Sequence, residues 1–114
     1  MTGGRLTVAD FQSISKKRKI VSLTAYTAPV AAALDPYCDM LLVGDSVAMV
    51  LYGMQGTQGA NIEMMVRHGK AVVSHSSNAM VVVDLPYGTY EHSAELAVKS
   101  CLLYTSPSPR DLST

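Results

Sequence analysis

The sequence has no excess charge of either sign. Nine lysines and arginines meet nine aspartates and glutamates, for a formal net charge of +0. That balance speaks against a nucleic-acid or anionic-membrane partner, since both select basic faces. The one basic run, Lys16-Lys17-Arg18-Lys19, is short and reads as a solvated helix end. Cysteine is scarce. Cys38 and Cys101 lie far apart and outside any CxxC pattern, which suits two reduced, partly buried thiols in a reducing compartment. No apolar run approaches the ~18 residues that a membrane span needs. The opening "MTGGRLTVADF" lacks the apolar core of a signal peptide. The expectation is a soluble, cytoplasmic protein.

Familiar catalytic patterns are missing too. Ser46 has no G-x-S-x-G setting, so a nucleophile elbow is excluded. Gly53, Gly56 and Gly59 are not followed by the Lys-Ser/Thr of a phosphate loop. His68, His75 and His92 are scattered over a helix and two loops. They are expected to be solvated or locally hydrogen-bonded rather than metal ligands. Seven methionines read as core filling.

What is present is globular. Hydrophobic residues make up 48% of 114 residues, enough for one modest domain. Thr7, with Asp10 three residues on, predicts a helix at about 7–17. "KIVSLT" reads as a strand at about 19–24. Thr27 then caps a helix with Pro29 in its first turn, which Pro36 stops. "DMLLVG" gives a second strand at about 39–44. The glycines at 53, 56 and 59 punctuate a loop. Ile62, Met65, Val66, Gly69, Val72 and Val73 then fall on one face of a helix at about 61–74. "AMVVVD" is a third strand at about 79–84, and Ser93 begins a further helix with a Glu95–Lys99 pair on its polar face.

The order is a helix followed by three strand–helix units. Strands two and three are apolar at nearly every position, as in parallel strands covered on both faces. The class is therefore α/β, and either a (β/α) barrel or a doubly wound sheet fits the order. From Tyr104 to Thr114 the chain is rich in Ser, Thr and Pro and has no apolar period. Residues 1–101 are expected to form the domain. Residues 102–114 are expected to be a foreign, adapter-like or disordered tail.

Asp45 stands just past the second strand and Asp84 ends the third. In parallel α/β folds the C-terminal strand ends carry the site. Neighbouring strands lie about 4.8 Å apart, so two carboxylates there can share one hard cation such as Mg²⁺. An Asp after a strand is also a common turn-maker. Tyr26, at the exit of the first strand, can border such a site or simply pack there.

The segments "KIVSLTAYTAPVAAALDPYCDMLLVGDSVAMVLYGM", "MMVRHGKAV" and "NAMVVVDLPYGTY" closely resemble the N-terminal part of the ketopantoate hydroxymethyltransferase family. The resemblance runs from about Leu6 to Lys99, and "LTAY", "LVGDS" and "DLPYGTY" carry it jointly. It implies a (β/α)8 TIM barrel with Mg²⁺, here represented by the N-terminal helix and about the first three β/α units. It implies transfer of a hydroxymethyl group from 5,10-methylenetetrahydrofolate to 3-methyl-2-oxobutanoate, on the way to pantothenate and coenzyme A. Asp45 and Asp84 match metal-site aspartates. Asp45, Ser46 and Asp84 match positions that contact the 2-oxo acid. The full-length family member is expected to be a homo-oligomer.

Three departures stand out. Val47-Ala48 replace the usual Leu-Gly, Gln55-Gly56-Thr57 replace Asp-Ser-Thr, and "QGANIEMM" replaces a segment richer in Val and Thr. They bear on the loop at about 53–61 and leave both aspartates intact. The family's third acidic metal residue, its substrate lysine and its catalytic glutamate have no counterpart here. The chain alone is therefore expected to be inactive. Two other readings are a Mg²⁺-dependent relative in the phosphoenolpyruvate mutase and isocitrate lyase group, and a non-catalytic truncated chain.

Overall fold

The structure, a computed structural model, describes residues 4–91, 94, 95 and 98. The helix expected from Ser93 lies mostly outside these, as do Cys101 and the 102–114 segment. The described elements are α1 (Val8–Ser15), β1 (Ser22–Thr24), α2 (Ala28–Leu34), β2 (Met40–Val43), α3 (Val47–Val50), α4 (Ile62–Ser74) and β3 (Met80–Val83). Short 3₁₀ turns at Asp35–Tyr37 and Thr57–Gly59 complete them.

Local chemistry sets the helix starts. The Thr7 hydroxyl accepts from Asp10 N–H at 3.1 Å, and the Asp10 carboxylate accepts from Thr7 N–H at 3.0 Å, closing a capping box. Thr27 and Asn61 cap α2 and α4 by accepting from Val30 and Met64 N–H. Pro36 does not end the second helix outright. It sits inside the 3₁₀ turn that continues from Leu34, where a missing N–H costs nothing. The one-turn α3 is absent from the sequence reading, because four residues show no helical period.

β1, β2 and β3 form one parallel sheet in sequential order. Leu23, Leu41 and Val81 are level, as are Thr24, Leu42 and Val82. Side chains alternate across the sheet. Leu41 and Val43 are fully buried and cluster with Met65, Val72 and Ala31 of α4 and α2. Each such burial stabilises by roughly 1.5–3 kcal/mol. Gly69 lets α4 lie close on β3: a Cβ there would stand 3.1 Å from Val83 Cγ2.

The apolar runs predict cover on both faces of strands two and three, but the described residues cover one. Met40 and Leu42 are half-buried, and so is every residue of β3. β1 is exposed throughout, Leu23 at 48% against 0% for its neighbour Leu41. Among the described residues Leu23 lies on an outer strand with no helix over it, whereas Leu41 has a strand on either side and two helices above.

Two buried carboxylates hold the N-terminal end of the sheet. Asp35 accepts backbone N–H groups from Ser77, Asn78 and Ala79, which fixes the turn into β3. Asp39, just before β2, is bound by both Arg18 nitrogens and by Val21 N–H. The Arg5 guanidinium donates to the Val73, Ser76 and Ala79 carbonyls, closing the exit of α4 onto the entry of β3.

Candidate functional site

The C-terminal ends of the three strands bring Tyr26, Asp45, Ser46 and Asp84 together. Beyond β1 the ladder continues for one bond, Ala25 N–H to the Leu42 carbonyl at 3.0 Å, which delivers Tyr26 to the sheet edge. Beyond β2, Gly44, Asp45 and Ser46 form the turn into α3. Their carbonyls accept from Val47, Ala48 and Met49 N–H at 3.1, 3.2 and 2.9 Å. Val47 and Ala48 are both fully buried and anchor that turn. The departure from Leu-Gly at these positions is thus absorbed in packing beneath the site. Beyond β3, Asp84 N–H donates to the Val43 carbonyl at 3.0 Å.

Side chains then join the strand ends. Asp84 Oδ2 accepts the Asp45 backbone N–H at 3.1 Å, so the carboxylate from β3 lies over the end of β2. The Ser46 hydroxyl meets the Tyr26 hydroxyl at 2.6 Å. Ser46 stands at the N-cap position of α3 yet makes no capping bond, its oxygen being turned to Tyr26 instead. Gly44 leaves the room: a Cβ there would be 3.3 Å from Ser46 Oγ and 3.5 Å from Asp84 Oδ2. Tyr26, Asp45, Ser46 and Asp84 are all half-buried, so the cluster is open to a ligand.

The acidic groups at the two ends of the sheet contrast. Burial alone would push the Asp35 carboxyl up, but the Ala79, Ser77 and Asn78 N–H groups, with Arg5 nearby, outweigh it and hold it below the usual carboxylate range. Asp39 is pulled down to about 2, mainly by its bond to Arg18. Burial raises the Cys38 thiol, which favours its protonated form. Those carboxylates are neutralised by the protein itself. At the C-terminal end, among the described residues, no basic side chain pairs with Asp45.

Two carboxylates and a hydroxyl make an oxygen-only donor set. That chemistry fits a hard cation such as Mg²⁺, which keeps several waters and takes one or two protein carboxylates. Among the described residues no group of three His, Cys, Asp or Glu side chains gathers at one point.

His68 differs most from its sequence reading as a solvated or locally bonded side chain. On α4, its Nδ1 lies 2.6 Å from the Tyr26 carbonyl and its Nε2 2.7 Å from the Tyr52 hydroxyl. Those partners are 42 and 16 residues away in the chain. A histidine on the polar border of an amphipathic helix carries no sequence signal for such a bridge. Tyr26 resolves toward the site, since its hydroxyl contacts Ser46.

Comparison with known proteins gives one answer. The sequence profile of the ketopantoate hydroxymethyltransferase family matches residues 5–106. A protein of Agrobacterium fabrum named 3-methyl-2-oxobutanoate hydroxymethyltransferase is 51% identical over 98 residues, 86% of this chain and 35% of the relative. A protein of the same name from Paramagnetospirillum magneticum is 53% identical over 97 residues, 85% of this chain and 35% of the relative. One from Brucella canis is 51% identical over 100 residues, 88% and 36% of the two chains. The chain thus spans about a third of the length of these curated relatives. With a profile match over most of its length, this chain belongs to the ketopantoate hydroxymethyltransferase family.

Proposed function

We propose that this chain contributes the N-terminal third of a 3-methyl-2-oxobutanoate hydroxymethyltransferase. That enzyme moves a hydroxymethyl group from 5,10-methylenetetrahydrofolate to 3-methyl-2-oxobutanoate and forms 2-dehydropantoate. The observation that carries the reading is the Asp84 carboxylate bonded to Asp45 N–H at 3.1 Å, beside Ser46, inside a family match over residues 5–106. Sequential parallel strands with helices on one face support the opening of a (β/α)8 barrel.

In this reading Asp45 and Asp84 hold Mg²⁺, and Ser46 donates its hydroxyl proton to a carboxylate oxygen of the 2-oxo acid. When bound, the ion polarises the keto group and eases loss of the neighbouring C3 proton. Tyr26 holds Ser46 and walls the acid's side chain. The proton acceptor comes from sequence beyond the matched third. We place the enzyme in the cytoplasm as a homo-oligomer.

A hybrid tests this. Residues 5–98 replace the corresponding third of the Agrobacterium fabrum relative, and 2-dehydropantoate formation is followed with and without Mg²⁺. The expected result is Mg²⁺-dependent product, lowered at least about a hundredfold by Asp84→Asn. The 114-residue chain alone is expected to give none. A folded hybrid without activity overturns the reading.

A further inference from the structure

We propose that His68 is a positioning residue for this site. It sets the place of Ser46 through Tyr26, and through Tyr52 it ties that setting to the segment after α3. The chain of contacts is continuous: Tyr52 hydroxyl to His68 Nε2 at 2.7 Å, His68 Nδ1 to the Tyr26 carbonyl at 2.6 Å, and Tyr26 hydroxyl to Ser46 Oγ at 2.6 Å.

Donor chemistry fixes its direction. A backbone carbonyl can only accept, so His68 Nδ1 carries a proton and donates it. In the neutral ring Nε2 is then an acceptor, and the Tyr52 hydroxyl donates to it. The Tyr52 and His68 rings stand edge to face, 84° apart with centroids at 5.7 Å, which holds the imidazole in this orientation. Tyr26 needs such a tether. It has left β1, so its carbonyl faces no further ladder partner among the described residues, and the half-buried His68 supplies one from α4. With that carbonyl fixed, the tyrosine ring reaches across to Ser46, whose hydroxyl makes no cap bond of its own.

The functional consequence rests on the proposed reading of Ser46 as a contact for the 2-oxo acid. The placement of Ser46 by His68 is a separate matter, and the experiment keeps the two apart. The 114-residue chain is labelled with ¹⁵N in its histidines and ¹³C at tyrosine Cζ. The Tyr26 Cζ resonance reports its hydroxyl bond to Ser46, with Ser46→Ala giving the broken value. His68→Gln fills the histidine's volume and can reach Tyr52, but its amide cannot reach the Tyr26 carbonyl. His68→Asn places an N–H where Nδ1 stands. The expected outcome is a wild-type ring protonated at Nδ1, a Tyr26 signal moved to the broken value by His68→Gln, and a signal retained by His68→Asn. Like signals in the two variants, or a ring protonated only at Nε2, overturn the proposal.

The second readout is titration of the hybrid described above with 3-methyl-2-oxobutanoate in Mg²⁺. His68→Gln is expected to weaken binding about tenfold, the loss of one hydrogen bond's worth of alignment. It should weaken it no further in a Ser46→Ala background, because the effect passes through Ser46. Additive losses overturn the proposal, since a merely structural histidine would act independently of Ser46. If the wild-type hybrid binds no 2-oxo acid, the reading of Ser46 as its contact fails. The Tyr26 resonance then decides the placement by His68 alone.

Discussion

Arg18 and Asp39 form a two-point ion pair, Nη1 to Oδ2 at 2.8 Å and Nη2 to Oδ1 at 2.7 Å. It joins the turn after α1 to the entry of β2, and Val21 N–H adds a third donor to the same carboxylate. The pair lowers Asp39 from an ordinary value of 3.8 to about 2. A carboxyl with a folded pKa below its unfolded one stabilises the fold above the unfolded value. Its contribution is lost as pH falls through the folded pKa. Unfolding midpoints in urea are expected to decline between pH 4 and pH 2, and Asp39→Asn should remove part of that slope. Asp35, also lowered, should keep the remainder. A slope equal in wild type and variant would show that the pair has no such role.

Asp35 presents a different case, because its partners are backbone rather than cationic. Its carboxylate takes N–H groups from Ser77 at 2.9 Å, Asn78 at 3.0 Å and Ala79 at 2.7 Å. Asp35→Ala would leave these donors partly buried and unpaired. The expected loss of unfolding free energy is about 2–4 kcal/mol by denaturant titration. Asp35→Asn retains one accepting oxygen and should lose roughly half as much. Equal stability of all three proteins would count against this account.

The contrast between these residues and Asp45 explains what the sequence could carry. Amphipathic α4, the caps at Thr7 and Thr27 and the three apolar strands were legible because periodicity and capping are local. The aspartates at 45 and 84 were legible as strand ends. Asp35 carried no such local signal, since its role depends on a turn more than forty residues away. His68 failed for the same reason. The cover expected on both faces of the strands failed differently. Apolar composition reports what a strand requires of its surroundings, and the described residues provide that on one face.

Gly44 gives a prediction that separates site from fold. Its missing Cβ leaves space of 3.3 Å to Ser46 Oγ and 3.5 Å to Asp84 Oδ2. Gly44→Ala should shift Ser46 Oγ by a few tenths of an ångström, with Asp84 Oδ2 left in ordinary contact, while touching little of the core. The melting midpoint is expected to move by less than about 4 °C. Binding of 3-methyl-2-oxobutanoate in Mg²⁺ should weaken, as measured by calorimetry. A variant that binds as wild type would mean that the ligand does not use the Ser46 hydroxyl.

Asp84→Asn tests the metal assignment most directly, because it changes charge and little else. The side-chain oxygen of asparagine can still accept the Asp45 N–H, so the bond across the strand ends survives. What disappears is one of two negative charges facing the proposed Mg²⁺. The ion binds through charge and hard oxygen, and a carbonyl oxygen replaces a carboxylate poorly. Mg²⁺ titration followed by amide NMR should show shifts centred on Gly44, Asp45 and Asp84 in the wild type. The variant's affinity should fall about tenfold or more, at an unchanged melting midpoint. Asp45→Asn should act alike, whereas Ser46→Ala should leave the ion in place and weaken only the 2-oxo acid. If Mg²⁺ affinity is indifferent to both aspartates, they are turn-makers at strand ends, and the cation site must be sought among other residues of the chain.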